Sequence, residues 1–481
     1  MHTPVILSFI PIFIISVCGE ASFRVWGPGL KPQAIVMPAR YFFLQSYNES
    51  CNLKDLEVEV DGTSPENQRC RIWKNILYTH NCLYIVRYKL YNTCANLKIS
   101  IKYGEVEQTY DIKSYIYPED CNCPRVPTDK WLNDWECGSI PNQIVKDLDT
   151  FKAINFDNLR EKIIEKFNQP GSISLCHYVV KNNEVYRQCY GKYVGFKMFM
   201  DSILLSLARK VLLPDVEFFV NLGDWPLVKD AKDNFPIFSW SGSADTFDIV
   251  MPTYDLTEST LENMGRVMLD MLSVQGNVDY PWEERIPKVF WRGRDSNRQR
   301  LHLIELSKKH PHLFNASLTN FFFFRDEEEK YGPKAEHVSF FKFFEYKYQV
   351  CIDGTVAAYR LPYLLAGGSL LIKQESKYYE HFYNDLIPDT HFIVIKRDLS
   401  NLIEKVNWAI ENDDKAKKMA NAGRAFAMEN LLPKNIFCYH TFLLNEFSKR
   451  ITNKIKVLND MELVENTSKD CNCDKTNRDE L

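Results

Sequence analysis

The chain has 481 residues, more than one hydrophobic core usually supports, so two or three domains are expected. Its 59 basic residues nearly balance 63 acidic ones, and the lack of a basic excess argues against nucleic acid as the main partner. Aromatic residues reach 14%, a share that suits large cores or a surface gripping something flat.

Residues 4 to 18, PVILSFIPIFIISVC, form an apolar run followed by the small residues Gly19 and Ala21. The run is short for a bilayer span, so residues 1–20 read as a signal peptide, although the n-region offers only His2. Of the 14 cysteines, Cys18 departs with that leader. The odd remainder should mostly pair in an oxidising lumen, with at least one left over. Asn48, Asn315 and Asn466 each open an N-x-[ST] sequon.

From 22 to about 120, short apolar, β-branched segments such as LEVEV, CLYIVRYKLY and LKISIKY alternate with polar turns such as DGTSPENQ, which predicts an all-β module. At PEDCNCP (118–124) the composition shifts. From 121 to about 450 helical patterns alternate with short apolar strands, the signature of α/β architecture. Phe196, Phe199, Met200, Ile203, Leu204 and Leu207 share one helical face and read as core. VEFFVNL, FPIFSW, DIVMP, KVFW, YQVCI, SLLIK and HFIVIK read as strands. The acidic pair Asp147 and Asp149 falls in a helical pattern and is expected at the surface, not at a metal. Two C-x-C clusters, Cys121/Cys123 and Cys471/Cys473, have no further ligands at finger-like spacing, so disulfides are expected rather than zinc. Residues 451–481 form a polar, loosely held tail ending in RDEL (Arg478–Leu481), similar to the ER-retrieval tetrapeptide.

Three strand ends carry chemistry. Asp224 lies two residues past VEFFVNL, between Gly223 and Trp225-Pro226, where it is either a base or the cap of a turn. WRGRDSNRQR places Arg292, Arg294, Arg298 and Arg300 beside Gly293, a phosphate grip or a solvated basic face. CIDGTVAAYRLPYLL ends a strand at Ile352, turns at Gly354 and suggests a helix starting near Val356, with Arg360 one turn in.

GPGL, ARYFFLQ and LYIVRYKLY followed by LKISIKYGE resemble a filamin-type immunoglobulin-like repeat over 22–120. VEFFVNLGDWP, PIFSWSGSADTFDIVMPTYDL, WRGRDSNRQR, LTNFFFFRDEE and YKYQVCIDGTVAAYRLPYLL resemble the protein O-glucosyltransferases of glycosyltransferase family 90, in the branch bearing a KDEL-like motif. The resemblance implies a GT-B-like α/β catalytic domain of two Rossmann-like halves over 121–450, behind the all-β immunoglobulin-like sandwich. It implies that Asp224 is the base, and that Arg294, Arg300, Ile352, Asp353, Gly354, Thr355 and Val356 hold the UDP-sugar, with Arg360 close by. It also implies a disulfide from Cys121 to Cys438, leaving Cys123 to pair with Cys137 as its nearest candidate. PTYDLTESTLENMGR (252–266) falls in the acceptor region. The expected activity is inverting transfer of glucose from UDP-glucose to serine in EGF-like repeats of Notch-like or fibrillin-like proteins, in the ER lumen. No cofactor and no metal are expected, nor any nucleic acid or membrane span; the ER-retrieval receptor is the expected partner of RDEL. The alternatives are a UDP-xylose-dependent transferase on the same acceptors, or an inert ER-resident binding protein or chaperone.

Overall fold

Each strand's burial follows from what lies on its two faces. Our computed structural model describes residues 23–34, 36, 40–47, 53–79, 81–122, 125–172, 174–261, 271–278, 280–465 and 471. The signal-peptide segment, the RDEL tail, Cys123, Asn48 and Asn466 lie outside these residues.

The first module contains β1 (Phe23–Trp26), β2 (Arg40–Ser46), β3 (Leu56–Thr63), β4 (Ile72–Thr79), β5 (Leu83–Leu90), β6 (Asn96–Tyr103) and β7 (Val106–Ile112). They form two antiparallel sheets, β1-β2-β5-β4 and β3-β6-β7. In β3, Leu56 and Val58 are buried while Glu57 and Glu59 are exposed, the alternation of a sheet with one dry face. Their inner faces meet in a core built on Phe42, Tyr84, Val86, Ile99 and Ile101. A disulfide joins Cys70 to Cys94.

The module is packed onto the rest of the chain. Tyr41, Phe43, Leu83 and Ile85 belong to the same apolar cluster as Trp131, Trp135 and Phe437. Arg87 donates to Ser273 Oγ at 3.2 Å. The backbone of Gly276 comes so close that a Cβ there would lie 2.5 Å from Leu77 Cβ.

The α/β part begins with α1 (Asn142–Asp149), α2 (Phe156–Phe167), the hairpin β8 (Leu175–Lys181) and β9 (Glu184–Tyr190), α3 (Lys197–Ala208), β10 (Val216–Asn221), β11 (Ile237–Ser239), β12 (Ile249–Val250) and α4 (Tyr254–Thr260). A second half follows: β13 (Ile286–Arg294), α5 (Arg298–Lys309), β14 (Phe314–Asn320), β15 (Tyr346–Cys351), α6 (Leu361–Ala366), β16 (Leu370–Gln374) and β17 (Ile393–Ile395). The chain then forms α7 (Leu402–Glu411), α8 (Asp413–Asn430), α9 (Pro433–Ser448) and a short β18 (Glu462–Leu463). The first half is a mixed sheet, β12-β11-β10-β8-β9-β18; the second is wholly parallel, β14-β13-β15-β16-β17. All six residues of β10 are buried, which is why VEFFVN reads as an unbroken apolar run. The single charge in it, Glu217, is held by Arg160 through two hydrogen bonds and by His177. The face of α3 carrying Phe199, Met200, Ile203, Leu204 and Leu207 is buried as the spacing predicts, whereas Phe196, expected in the same core, stands just before the first turn and is 39% exposed.

The disulfides correct the expected staple. Cys438 pairs with Cys137, and Cys121 pairs with Cys471. The reason is packing: Trp135 meets Phe437 edge to face, which delivers Cys137 to the neighbouring position on α9. Cys121 is buried against Tyr117 at the junction with the β module, and the tail returns to it. The pairing of Cys123 with Cys137 falls with this, since Cys137 is taken. Cys176–Cys189 crosses the β8–β9 hairpin, Cys82 is bonded, and Cys351 is a buried free thiol. The tail is also less loose than expected, because β18 pairs with β9 and Val464 is buried. Asp147 is not a surface carboxylate: it accepts from Val250 N–H at 2.8 Å and from Gln143 at 2.7 Å. Burial raises its pKa to about 6. Asn315 sits in β14, where its amide nitrogen donates to Tyr346 and its oxygen accepts from Arg292, so a glycan on that nitrogen would compete with the Tyr346 contact. Among the described residues no helix is long and apolar enough to cross a membrane.

Candidate active site

The parallel sheet reverses its strand order between β13 and β15, since β14 lies outside β13 while β16 and β17 continue beyond β15. At such a switch point the loops leave the carboxyl ends of adjacent strands in opposite directions and open a crevice. Arg294 ends β13, Gly354 and Thr355 follow β15, and all three line a cavity of about 550 Å³. Asp224, past the carboxyl end of β10, lines the same cavity from the other half.

The turn carrying Asp224 is fixed by its neighbours. Asn221 accepts from Gly223 N–H at 2.9 Å and donates to the Trp225 carbonyl at 2.7 Å. The buried Asp248 accepts from the Leu227 and Val228 N–H groups, both at 2.8 Å, and from Ser239 Oγ at 2.6 Å. The Asp224 carbonyl accepts from Ser241 Oγ at 3.2 Å and Tyr359 Oη at 3.4 Å. Its carboxylate therefore does not cap this turn; it accepts from Tyr254 Oη at 3.2 Å and faces the cleft. Burial raises the Asp224 pKa above the ordinary aspartate value, opposed by the Tyr254 hydrogen bond and the charge of Arg294. Burial and the carboxylate together push the Tyr254 phenol far up, so it stays a donor.

The arginines divide by role. Arg294 is exposed, and its guanidinium makes no hydrogen bond to any described residue and is free for a ligand. Arg300 is 5% exposed and spent on the fold. Its Nε donates to the Asp353 carbonyl (2.8 Å), one terminal nitrogen to the Arg294 carbonyl and Ser296 Oγ (both 3.1 Å), and the other to the Ile352 carbonyl (3.2 Å). Burial lowers its pKa to about 9, with Arg360 adding to the effect. Arg292 is tied to Asn315 and stacked over Phe290, and Arg360 donates to the Arg292 carbonyl. Both still line the cleft. Arg298 points away, paired with Glu327. Gly293 is required because a Cβ there would lie 2.6 Å from the Trp291 ring.

The third strand end departs from expectation in two ways. Ile352 is core, and the Asp353 carboxylate accepts from Ser376 Oγ behind the wall, so neither lines the cleft; Gly354, Thr355 and Val356 do. The helix begins at Leu361, not near Val356. Asn297 donates to the Asp353 and Gly354 carbonyls, Arg300 to those of Ile352 and Asp353, and Gly354 N–H returns to the Val356 carbonyl. With its carbonyls taken by another element, the segment cannot propagate helical bonds until Pro362 starts the first turn of α6. Residues not singled out as individual site groups in the sequence also line the cleft: Tyr254, Asp255, Thr319, His337 and Tyr359. Asp255 has no hydrogen bond from its carboxylate among the described residues, and burial with nearby Glu258 and Asp224 pushes its pKa up to about 7. Tyr254 and Asp255 stand in PTYDL, where the sequence signal is a carboxylate three residues after the proline that bounds a strand.

Two α/β halves that set a half-buried carboxylate opposite arginines at a switch point form a glycosyltransferase of GT-B-like architecture. The chain belongs to glycosyl transferase family 90, whose family model matches residues 133–481. It is 48% identical over 471 residues to protein O-glucosyltransferase 2 of Danio rerio, covering 95% of this chain and 94% of the relative. It is 45% identical over 479 residues to protein O-glucosyltransferase 3 of Homo sapiens, with coverage of 95% and 94%. Protein O-glucosyltransferase 1 of Homo sapiens is 29% identical over 283 residues, covering 57% of this chain and 72% of the relative.

Proposed function

We propose that this enzyme transfers glucose from UDP-glucose to serine hydroxyls of EGF-like repeats in the ER lumen, with inversion at the sugar carbon. The observation that carries the reading is Asp224: a carboxylate hydrogen-bonded by Tyr254, facing the free guanidinium of Arg294 across the cleft. In this mechanism the serine Oγ attacks the anomeric carbon as Asp224 takes its proton. The bond from that carbon to the diphosphate oxygen breaks, and UDP leaves with the electron pair. Arg294 meets the charge growing on the diphosphate, while Arg292, Arg300 and Arg360 keep the wall positive. This concentration of guanidinium charge supports a reaction that needs no metal. The names of the relatives support glucose and a protein acceptor. The disulfides suit an oxidising compartment, and RDEL suits retrieval to the ER.

The test is mass spectrometry of a folded EGF-like repeat incubated with the protein and, in turn, UDP-glucose and UDP-xylose. A hexose on serine with UDP-glucose is expected. Pentose transfer alone would replace the donor assignment, and no transfer with any UDP-sugar would leave the binding-protein reading.

A further inference from the structure

The segment Phe321–Phe324 follows β14, and its mounting is unusual. Asp295, immediately after Arg294, is fully buried, and its carboxylate accepts three consecutive backbone N–H groups: Phe322 at 2.8 Å, Phe323 at 2.9 Å and Phe324 at 2.6 Å. A buried carboxylate costs free energy that such bonds offset, so the shape of this turn is enforced. Yet the enforced shape does not bury the apolar side chains. Phe322 is 53% exposed and Phe323 is 49% exposed, with their rings edge to face at 5.0 Å. Phe321 enters the core and Phe324 packs against it, which leaves Phe322 and Phe323 as the two exposed rings. A turn that served the fold alone would have no use for presenting two half-exposed aromatic rings, one of them beneath the Arg325 guanidinium at 5.3 Å.

The position of the rings says what covers them. Arg294 lines the cleft and acts on Asp224, while the next residue, Asp295, holds the ring-bearing turn. Thr319, three residues before Phe322, lines the cleft and donates to the Gly293 carbonyl at 3.2 Å. The aromatic pair is therefore continuous with the cleft on the side where Arg294 faces Asp224, but it is not part of the cavity wall. A substrate too large for a 550 Å³ cavity, whose reacting hydroxyl enters it, has to rest its remaining surface on the rim.

We propose that Phe322 and Phe323 form a rigid docking shelf for the folded protein acceptor, taking an apolar side chain of the acceptor module next to its reacting serine. This rests on the reading of the enzyme as a transferase acting on EGF-like repeats. The shelf recognises the fold of the acceptor, not the sugar donor, so its loss separates the two substrates kinetically.

The test uses the full chain with Phe322→Ala and Phe323→Ala together, a folded EGF-like module as acceptor, and acceptor-independent hydrolysis of UDP-glucose as the basal readout. The expected result is an acceptor KM raised at least about tenfold, the scale of losing one to two buried aromatic contacts. Hydrolysis and the KM for UDP-glucose should stay within about twofold. The pair Phe322→Leu and Phe323→Leu should restore most of the acceptor affinity, because an apolar shelf remains. An unchanged acceptor KM overturns the shelf, as does an equal fall in hydrolysis, which would assign the rings to the donor site. Loss of a dimer on sedimentation of the alanine variant would also overturn it, since the rings would then cover a second copy. If the wild-type enzyme transfers to no EGF-like module, the acceptor reading fails and the shelf fails with it.

Discussion

Replacing Arg300 by alanine separates a strut from a ligand, and its cost follows from the hydrogen bonds. The side chain spends four N–H donors on the Asp353, Arg294 and Ile352 carbonyls and on Ser296 Oγ. Asp353 O keeps a partner in the variant, because Asn297 also donates to it at 2.8 Å. The Arg294 and Ile352 carbonyls lose the guanidinium, and an unpaired buried acceptor costs about 1–3 kcal/mol. Against this, the variant no longer buries a guanidinium whose pKa burial has already brought down to about 9. The net expectation is a loss of about 2–4 kcal/mol in unfolding free energy, together with loss of UDP affinity as the 352–356 loop loosens. Arg294→Ala should also weaken UDP binding, through lost charge-assisted contacts, but leave stability within about 0.5 kcal/mol of wild type. Urea unfolding and calorimetric titration with UDP, run on both variants, are the assays. Wild-type stability for Arg300→Ala with weakened UDP binding would refute the assignment, making Arg300 a ligand like its neighbour.

Asp224→Asn should fold and bind UDP normally but transfer at least about a hundredfold more slowly, since loss of a general base costs about 10²–10⁴-fold; a smaller drop in an acceptor-transfer assay would remove Asp224 from the mechanism. Peptide mapping without reduction should recover Cys137 linked to Cys438 and Cys121 linked to Cys471, and a Cys121–Cys438 peptide would contradict the packing of Trp135 on Phe437. Glu380, fully buried and accepting from Tyr383 Oη at 3.1 Å, has its pKa pushed up from 4.5 to about 8, chiefly by burial. Its folded form holds a proton that the unfolded chain gives up. Its contribution to stability is therefore complete below about pH 4.5 and is lost as pH rises through 8. Glu380→Gln, a fixed mimic of the protonated acid, should raise the melting temperature at pH 8 by several degrees and flatten its decline between pH 6 and 8; an unchanged profile would refute the linkage.

The strand ends were legible in sequence because a strand buried throughout, such as VEFFVN, reads as an apolar run, which points to the loops carrying Asp224 and residues 352–356; that the Asp224 carboxylate faces the cleft instead of capping its turn is read only from tertiary contacts. The position of the helix after that loop was not. Whether the backbone carbonyls of Ile352, Asp353 and Gly354 are free to begin a helix depends on Arg300 and Asn297, about fifty residues upstream and on another element. The same limit separates Arg294 from Arg300: both belong to one basic cluster in sequence, and only the tertiary contacts show which guanidinium is occupied. Disulfide partners depend likewise on contacts such as Trp135 with Phe437, which no spacing encodes.

The bond between Cys121 and Cys471 closes across 350 residues. A ribosome adding about 5–20 residues per second needs roughly 20–70 seconds to make that much chain. In the lumenal maturation proposed above, the β module and the start of the catalytic part precede the last cysteines through that interval, with Cys121 waiting as a thiol for Cys471 and Cys137 for Cys438. Each thiol meets the other before either true partner exists. A Cys121–Cys137 bond is thus the mispairing open to the growing chain at that stage, and a chain that forms it has to reshuffle once Cys438 and Cys471 are made.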